Sequence, residues 1–244
     1  MPQPLSKVMP NAKLGADVSD ALKACPELAI YSATILSSSA KIDVQLATLM
    51  IKIIGLENDA ALAVFDILRA ASLQKLALDA AAKAGFNEQD FRIFSALTSA
   101  AETAQKERHR LAHWIWAASD DVPKSLLLID PKAEKLRGEN LVRQLEALHN
   151  SRPKPPGSIS VNSADVLVYG LNDLLRANRD LLEVDCAFLE YHFYRWPAKS
   201  IKADRHQDYG SSEGALQKLT SRRPIAEALA RYDAKGQSAP KAQP

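Results

Sequence analysis

The residues best suited to chemistry lie close together in the segment KERHRLAHWIW, residues 106–116. Arg108 carries a permanent charge that can hold an anion through two parallel hydrogen bonds. His109 and His113 carry imidazoles, and the imidazole is the side chain that most readily takes and gives a proton near neutral pH. The cluster therefore indicates either an acid–base site beside an anion-binding guanidinium or a well-paired polar seam between helices.

The spacing of this segment predicts that its residues lie on a helix. Core-type positions recur after three or four residues, in the series Phe94, Leu97, Ala101, Ala104, Arg108, Leu111 and Ile115. Such a stripe is typical of a helix packed in a bundle. A guanidinium in the stripe must be paired, reach the edge or face a cavity. On a continuous helix Arg108 and His113 lie about 140° apart, so only the length of the arginine, a local break or a second chain brings them together.

Two other interpretations of the same residues stay open from the sequence. His109 and His113 are four residues apart and could hold a metal ion together. No glutamate lies between them as in a zinc-protease helix, and further ligands are not evident, so we predict neither a metal nor a cofactor. The non-catalytic interpretation is a surface histidine pair, with Arg108 bound to Glu102 or Glu107 across one turn.

Composition limits the class of protein. Hydrophobic residues at 47%, charged residues at 25% and only nine glycines favour a globular, helical chain. The net charge of +2 excludes a strong overall field toward nucleic acid or acidic lipid, so such contacts must be local. Cys25 and Cys186 lie far apart and are expected to be reduced thiols. Since no secretory signal and no run of ~20 apolar residues is evident, we expect a cytoplasmic protein without membrane contact.

Helix signals predict a bundle domain over residues 1–197, in which residues 1–15 form a loose lead-in to the helices. Pro26 suits a first helical turn, and Gly55 suits a helix end. Asn87 with Asp90 resembles a capping box. Four long helices are predicted, with approximate bounds Pro26 to Gly55, Asn58 to Gly85, Asn87 to Ser119 and Leu171 to Tyr194.

The remaining segments predict a small β-bearing insertion and a polar tail. Within the insertion, residues 122–170, we expect a strand over 125–130, a short helix over 138–150, a loop over 151–158 and a second strand before Gly170 that pairs with the first. Residues 198–244 hold nine Lys/Arg against five Asp/Glu, a net of +4. We expect this tail to be flexible, with one short helix in PIAEALARY, and either to solubilise the chain or to add phosphate contacts. The predicted fold class is a mainly α bundle of four to five helices.

Arg108-His109-x-x-Ala112-His113-x-x-Trp116 resembles the motif of HEPN domains, which are helical bundles with an arginine, a neighbouring polar residue and a histidine four to six positions after the arginine. The order of elements is similar over roughly residues 25–197. The spacing alone is weak, because Arg143 and His149 also satisfy it without the flanking pattern. The resemblance therefore depends on the alanine, the tryptophan and the place in the bundle.

The resemblance implies one of two function classes. The first is a metal-independent endoribonuclease of the toxin or defence type, acting as a homodimer whose facing motifs form one cleft on an RNA substrate. There His113 would be the general base or acid, Arg108 would bind the phosphate, and His109 would transfer the second proton or orient His113. The second is a catalytically silent bundle that binds a protein partner such as an antitoxin. We expect Trp114 and Trp116 to serve packing rather than base stacking.

Overall fold

The computed structural model describes residues 1–12, 14, 18–55, 63, 71–149, 163–196 and 211–238. Over these residues the chain is mainly helical and carries one small antiparallel sheet, which confirms the predicted fold class. The chain divides into two compact units. Unit 1 comprises Met1–Leu36 and Glu107–Asn178, and unit 2 comprises Ser37–Lys106 and Arg179–Pro244.

Nine α-helices and four strands lie within the described residues. The helices are α1 (Leu5–Val8), α2 (Val18–Ala24), α3 (Pro26–Ile54), α4 (Ala71–Gly85), α5 (Glu88–His113), α6 (Pro131–His149), α7 (Leu171–Arg195), α8 (Ser212–Ser221) and α9 (Arg223–Ser238). The strands are β1 (Gln3–Pro4), β2 (Ile115–Ala117), β3 (Leu126–Ile129) and β4 (Val166–Tyr169).

Local signals set several helix ends where the sequence predicts them. Helix α3 ends before Gly55, whose φ of +68° is a left-handed conformation that side-chain-bearing residues rarely adopt. Helix α5 begins after Asn87, whose side-chain oxygen accepts the backbone N–H of Asp90 at 2.8 Å. The Asn87 amide also donates to the Asp90 carboxylate at 2.8 Å. The predicted Asn87 cap and the Gly55 stop are therefore confirmed, and Asp90 returns a bond to the side-chain amide of Asn87 where a capping box would use the backbone N–H.

The C-terminal end of α5 differs from the prediction. The helix ends at His113 rather than near Ser119, and Ile115–Ala117 form strand β2. Ile115 pairs with Ile129, and Trp116 pairs with Leu128 of β3. β-Branched and aromatic side chains suit a sheet surface. The pairing with β3 joins residues that are distant in sequence, so the local helical spacing of apolar residues does not predict it. The placement of Ile115 on a helical stripe was therefore wrong.

The sheet has the order β1-β4-β3-β2, with antiparallel neighbours throughout. The predicted pairing of the two insertion strands is confirmed, because Leu127 pairs with Val168. The N-terminal segment is not a loose lead-in over residues 3–8, since β1 pairs with β4 and Leu5 is only 1% exposed. The core of unit 1 includes Leu5, Ala117, Leu127, Ile129, Val166 and Val168.

The insertion helix is longer than predicted, because α6 begins at Pro131 instead of residue 138. Asp130 caps it: its side chain accepts the Lys132 backbone N–H at 2.8 Å, and proline suits the first helical position. The predicted loop over 151–158 lies outside the described residues, as do residues 58–62 and 64–70 of the predicted second helix.

Within the predicted tail, residues 212–238 form helices α8 and α9, a larger helical part than the one short helix expected. Ala215, Leu219 and Ile225 are fully buried, so these helices contribute to the core of unit 2. The tail is polar on average, so its composition does not reveal the apolar residues that are regularly spaced along these two helices. Residues 197–210 and 239–244 of the tail lie outside the described residues.

The core of unit 2 is built mainly by α3, α5 and α7. Fully buried side chains there include Ile42, Leu49, Met50, Leu78, Phe94, Leu97, Leu181, Phe188 and Tyr191. No helix among the described residues combines the length and the apolar character that crossing a membrane requires.

Candidate active site at the end of helix α5

The three candidate residues lie in the last turns of α5, within unit 1. The helix is continuous through His113, and the backbone N–H of Trp114 donates to the carbonyl of Arg110 at 2.8 Å. No local break therefore brings Arg108 toward His113, and the two residues lie about 140° apart around the helix axis. No hydrogen bond joins Arg108 to either histidine among the described contacts.

The structure brings His109 and His113 together on the surface. Both side chains are exposed, and their ring centroids lie 4.7 Å apart with an interplanar angle of 54°. This contact follows from their four-residue spacing on a continuous helix. Both rings are open to solvent, so a ligand can reach them side by side.

Arg108 is half-buried, and its guanidinium has no ion-pair or hydrogen-bond partner within the described part of the chain. The two glutamates that could have bound it are engaged elsewhere. Glu102 binds the Lys75 ammonium at 2.8 Å, and Glu107 binds Arg110 at 2.8 Å. The pairing of Arg108 with Glu102 or Glu107, which the sequence left open, is therefore not what the structure contains.

A polar network beside the candidate residues joins the end of α5 to the end of β4. The Tyr169 hydroxyl donates to the Glu107 carboxylate at 2.5 Å, and Arg110 binds the other oxygen of the same carboxylate. Tyr169 is 1% exposed, and burial together with the bond to Glu107 raises the pKa of its hydroxyl well above the ordinary value. Sequence reasoning missed the contact between Glu107 and Tyr169, because the two residues lie 62 positions apart.

The two tryptophans of the segment contact neighbouring groups where α5 ends and β2 begins. Trp116 lies in β2, and its indole N–H donates to the carbonyl of Leu111 at 2.9 Å. The Arg110 guanidinium lies 5.9 Å from the centre of the Trp114 ring, close enough for a cation–π contact. Both rings thus stabilise the junction between α5 and β2.

Within the described residues, no group of three or more His, Cys, Asp or Glu side chains is arranged to hold a metal ion. The His109–His113 pair alone supplies two ligands, whereas protein zinc sites use at least three protein ligands. The arrangement is better suited to acid–base chemistry than to metal binding.

Comparisons of the chain with protein-family models, with curated proteins and with solved structures found no match. The resemblance to HEPN domains therefore stays a prediction from the sequence, and of its motif residues Trp116 lies in β2 rather than in α5.

Proposed function

We propose that this chain is a metal-independent endoribonuclease that cleaves RNA at a site containing Arg108, His109 and His113. The observation that carries the proposal is the pair of exposed, contacting imidazoles on the same two helical turns as a guanidinium without a described partner. Imidazoles supply proton transfer near neutral pH, and a guanidinium supplies charge stabilisation for a phosphate. The choice of RNA comes from the resemblance to the HEPN motif.

The reaction needs no group beyond these side chains and the RNA. His113 removes the proton of a 2′-hydroxyl, and the 2′-oxygen attacks the adjacent phosphorus. The bond from phosphorus to the 5′-oxygen breaks, and His109 gives a proton to that leaving oxygen. The products are a 2′,3′-cyclic phosphate and a 5′-hydroxyl. Arg108 offsets the negative charge that gathers on the phosphoryl oxygens during the attack.

The angular separation of Arg108 and His113 bears on how the site is assembled. About 140° of helix rotation separates them, so we propose a homodimer in which Arg108 of one copy and His113 of the other face one cleft. Because cyclic dimers are two-fold symmetric, each dimer would contain two such composite pairs.

The test is cleavage of a labelled single-stranded RNA in EDTA by the wild type, Arg108→Ala and His113→Ala. We expect each substitution to lower the rate at least about 100-fold. Arg143→Ala is the matched control, since exposed Arg143 belongs to the other arginine–histidine pair of this spacing and should leave the rate unchanged. Mass spectrometry should find cyclic phosphate ends.

A mixing experiment tests the shared cleft. When Arg108→Ala and His113→Ala are unfolded together and refolded, half of the dimers should be mixed, and each mixed dimer should hold one intact pair. Activity should return to about a quarter of the wild-type value under random pairing. Absence of any recovery, with both single variants folded, would show that the two side chains act within one copy.

The second candidate function is a catalytically silent module that binds a protein partner. The observation in its favour is helix α6, where no described side chain is buried and where Leu136 and Val142 are 61% and 53% exposed. Equal RNA traces for the wild type, Arg108→Ala and His113→Ala would reject the ribonuclease and favour this module.

A further inference from the structure

His109 and His113 present two imidazoles to solvent on one face of α5. Their ring centroids lie 4.7 Å apart, both side chains are exposed, and the four-residue spacing keeps them adjacent for as long as the helix is formed. A neutral imidazole nitrogen is the commonest metal ligand in proteins. The pair therefore offers two nitrogen ligands to an ion that arrives from solvent.

The separation of the rings suits one shared ion. Zn²⁺ binds an imidazole nitrogen at about 2.0–2.1 Å. Two imidazoles at neighbouring positions of a tetrahedral ion then have ring centres about 5 Å apart, which is close to the separation observed here. Neither ring is held by a hydrogen bond among the described residues, so both side chains are free to turn one nitrogen toward the same ion.

Two protein ligands do not make a permanent metal site, because structural and catalytic zinc sites use at least three. Among the described residues, no further His, Cys, Asp or Glu side chain completes the pair to a group of three. Water must fill the remaining coordination positions, so an ion bound here exchanges with solvent. Occupancy of the pair then follows the free concentration of the metal.

The neighbouring cations weaken the attraction for a metal ion without excluding it. The charge of Arg110 is offset by the Glu107 carboxylate at 2.8 Å. Lys106 lies one turn before His109 on the same helix and is exposed, so its flexible side chain can extend into water. Water also screens charges around an exposed pair. Local charge therefore affects how tightly an ion binds, whereas the two nitrogens select which ions bind.

We propose that His109 and His113 together chelate an exchangeable Zn²⁺ or a similar imidazole-binding transition-metal ion, and that the bound ion inhibits RNA cleavage. The inhibition rests on the proposed function. A nitrogen whose lone pair binds a metal ion can no longer accept a proton, so the occupied pair loses its acid–base role. Imidazole suits Zn²⁺, Cu²⁺ and Ni²⁺, whereas Mg²⁺ and Ca²⁺ prefer oxygen ligands and should not bind.

The first test is isothermal titration calorimetry of the metal-free full chain with ZnCl₂ and with MgCl₂. We expect Zn²⁺ to bind and Mg²⁺ to give no heat of binding. His109→Ala and His113→Ala should each weaken Zn²⁺ binding about tenfold or more, since each removes one of two ligands. His149→Ala is the matched control, because His149 ends α6 and has no histidine four positions away, and it should bind Zn²⁺ as the wild type does.

The second test is the rate of RNA cleavage at saturating Zn²⁺ and after the addition of EDTA. Zn²⁺ should stop cleavage by the wild type and by His149→Ala, and EDTA should restore it. Unchanged cleavage with Zn²⁺ on the pair would overturn the inhibition.

The metal site itself is overturned if Zn²⁺ does not bind, or if His109→Ala and His113→Ala, with unchanged thermal transitions, bind it as tightly as the wild type. Zn²⁺ binding that depends on both histidines, without RNA cleavage in EDTA, would support the metal site and reject the ribonuclease. The two proposals therefore fail through different measurements.

Discussion

His192 should make unit 2 sensitive to acid. Both of its ring nitrogens are buried without a hydrogen-bond partner among the described residues, and its ring centroid lies 5.6 Å from that of Trp196. Burial, and secondarily the charge of Lys52, lowers the pKa of His192 from 6.5 to about 4. The Lys52 ammonium lies 5.6 Å from the centre of the Trp196 ring, so one positive charge is already close to the imidazole before it is protonated.

The sign of the effect follows from the protons bound by each state. An unfolded chain protonates His192 near pH 6.5, whereas the folded chain protonates it only near pH 4. Between these values the unfolded state binds more protons, so the free energy of unfolding falls as the pH falls. A difference of about 2.5 units corresponds to a loss of about 3 kcal/mol by pH 4, a large share of the stability of a typical domain.

The perturbation is His192→Phe, which keeps an aromatic ring and removes the titrating nitrogens. Urea unfolding at pH 7, 6, 5 and 4.5, followed by circular dichroism, gives the free energy of unfolding at each pH. We expect the wild type to lose about 2 kcal/mol more than His192→Phe between pH 7 and pH 4.5. His109→Gln is the matched control, since it removes an exposed imidazole that lies in unit 1.

Comparing the variant with the wild type removes the contribution of the other polar contacts of unit 2. Asp90, for example, is 3% exposed, accepts a hydrogen bond from the Tyr194 hydroxyl at 2.6 Å and forms an ion pair with Arg195 at 2.9 Å. These contacts are present in both proteins. Equal losses of stability in wild type and His192→Phe would refute the reasoning, because the imidazole would then titrate alike in both states.

Two further substitutions test contacts within the units. Tyr169→Phe removes the donor to Glu107 and should lower the free energy of unfolding by about 1–3 kcal/mol; unchanged stability in urea would show that this network does not hold α5 to β4. Arg222→Met leaves the buried Glu190 carboxylate without its partner and should cost about 3–5 kcal/mol. Adding Glu190→Met should recover part of that loss, whereas strictly additive losses would contradict a coupled pair.

The sequence by itself determined the features that depend on neighbouring residues. The Asn87 cap, the Gly55 stop and the Pro26 start are settled within one turn of the chain, so their residue types predict the helix ends. The contact of His109 with His113 is equally local, because a four-residue spacing on any continuous helix brings two rings together.

Tertiary structure decided the features that depend on partners far along the chain. Ile115–Ala117 form a strand because they pair with β3, although the helical spacing of apolar residues extends to Ile115. The N-terminal β1 and the helices of the tail are ordered by burial that low local hydrophobicity does not predict, as Leu5 and Leu219 show. The surroundings of Arg108 also depend on distant residues. Glu107 binds Tyr169, 62 residues away, and the Arg108 guanidinium has no carboxylate partner among the described residues. Local sequence patterns specify where helices end and which side chains lie next to each other on one helix face. The pairing of strands, the burial of side chains and the ion pairs between charged residues arise only when distant segments meet.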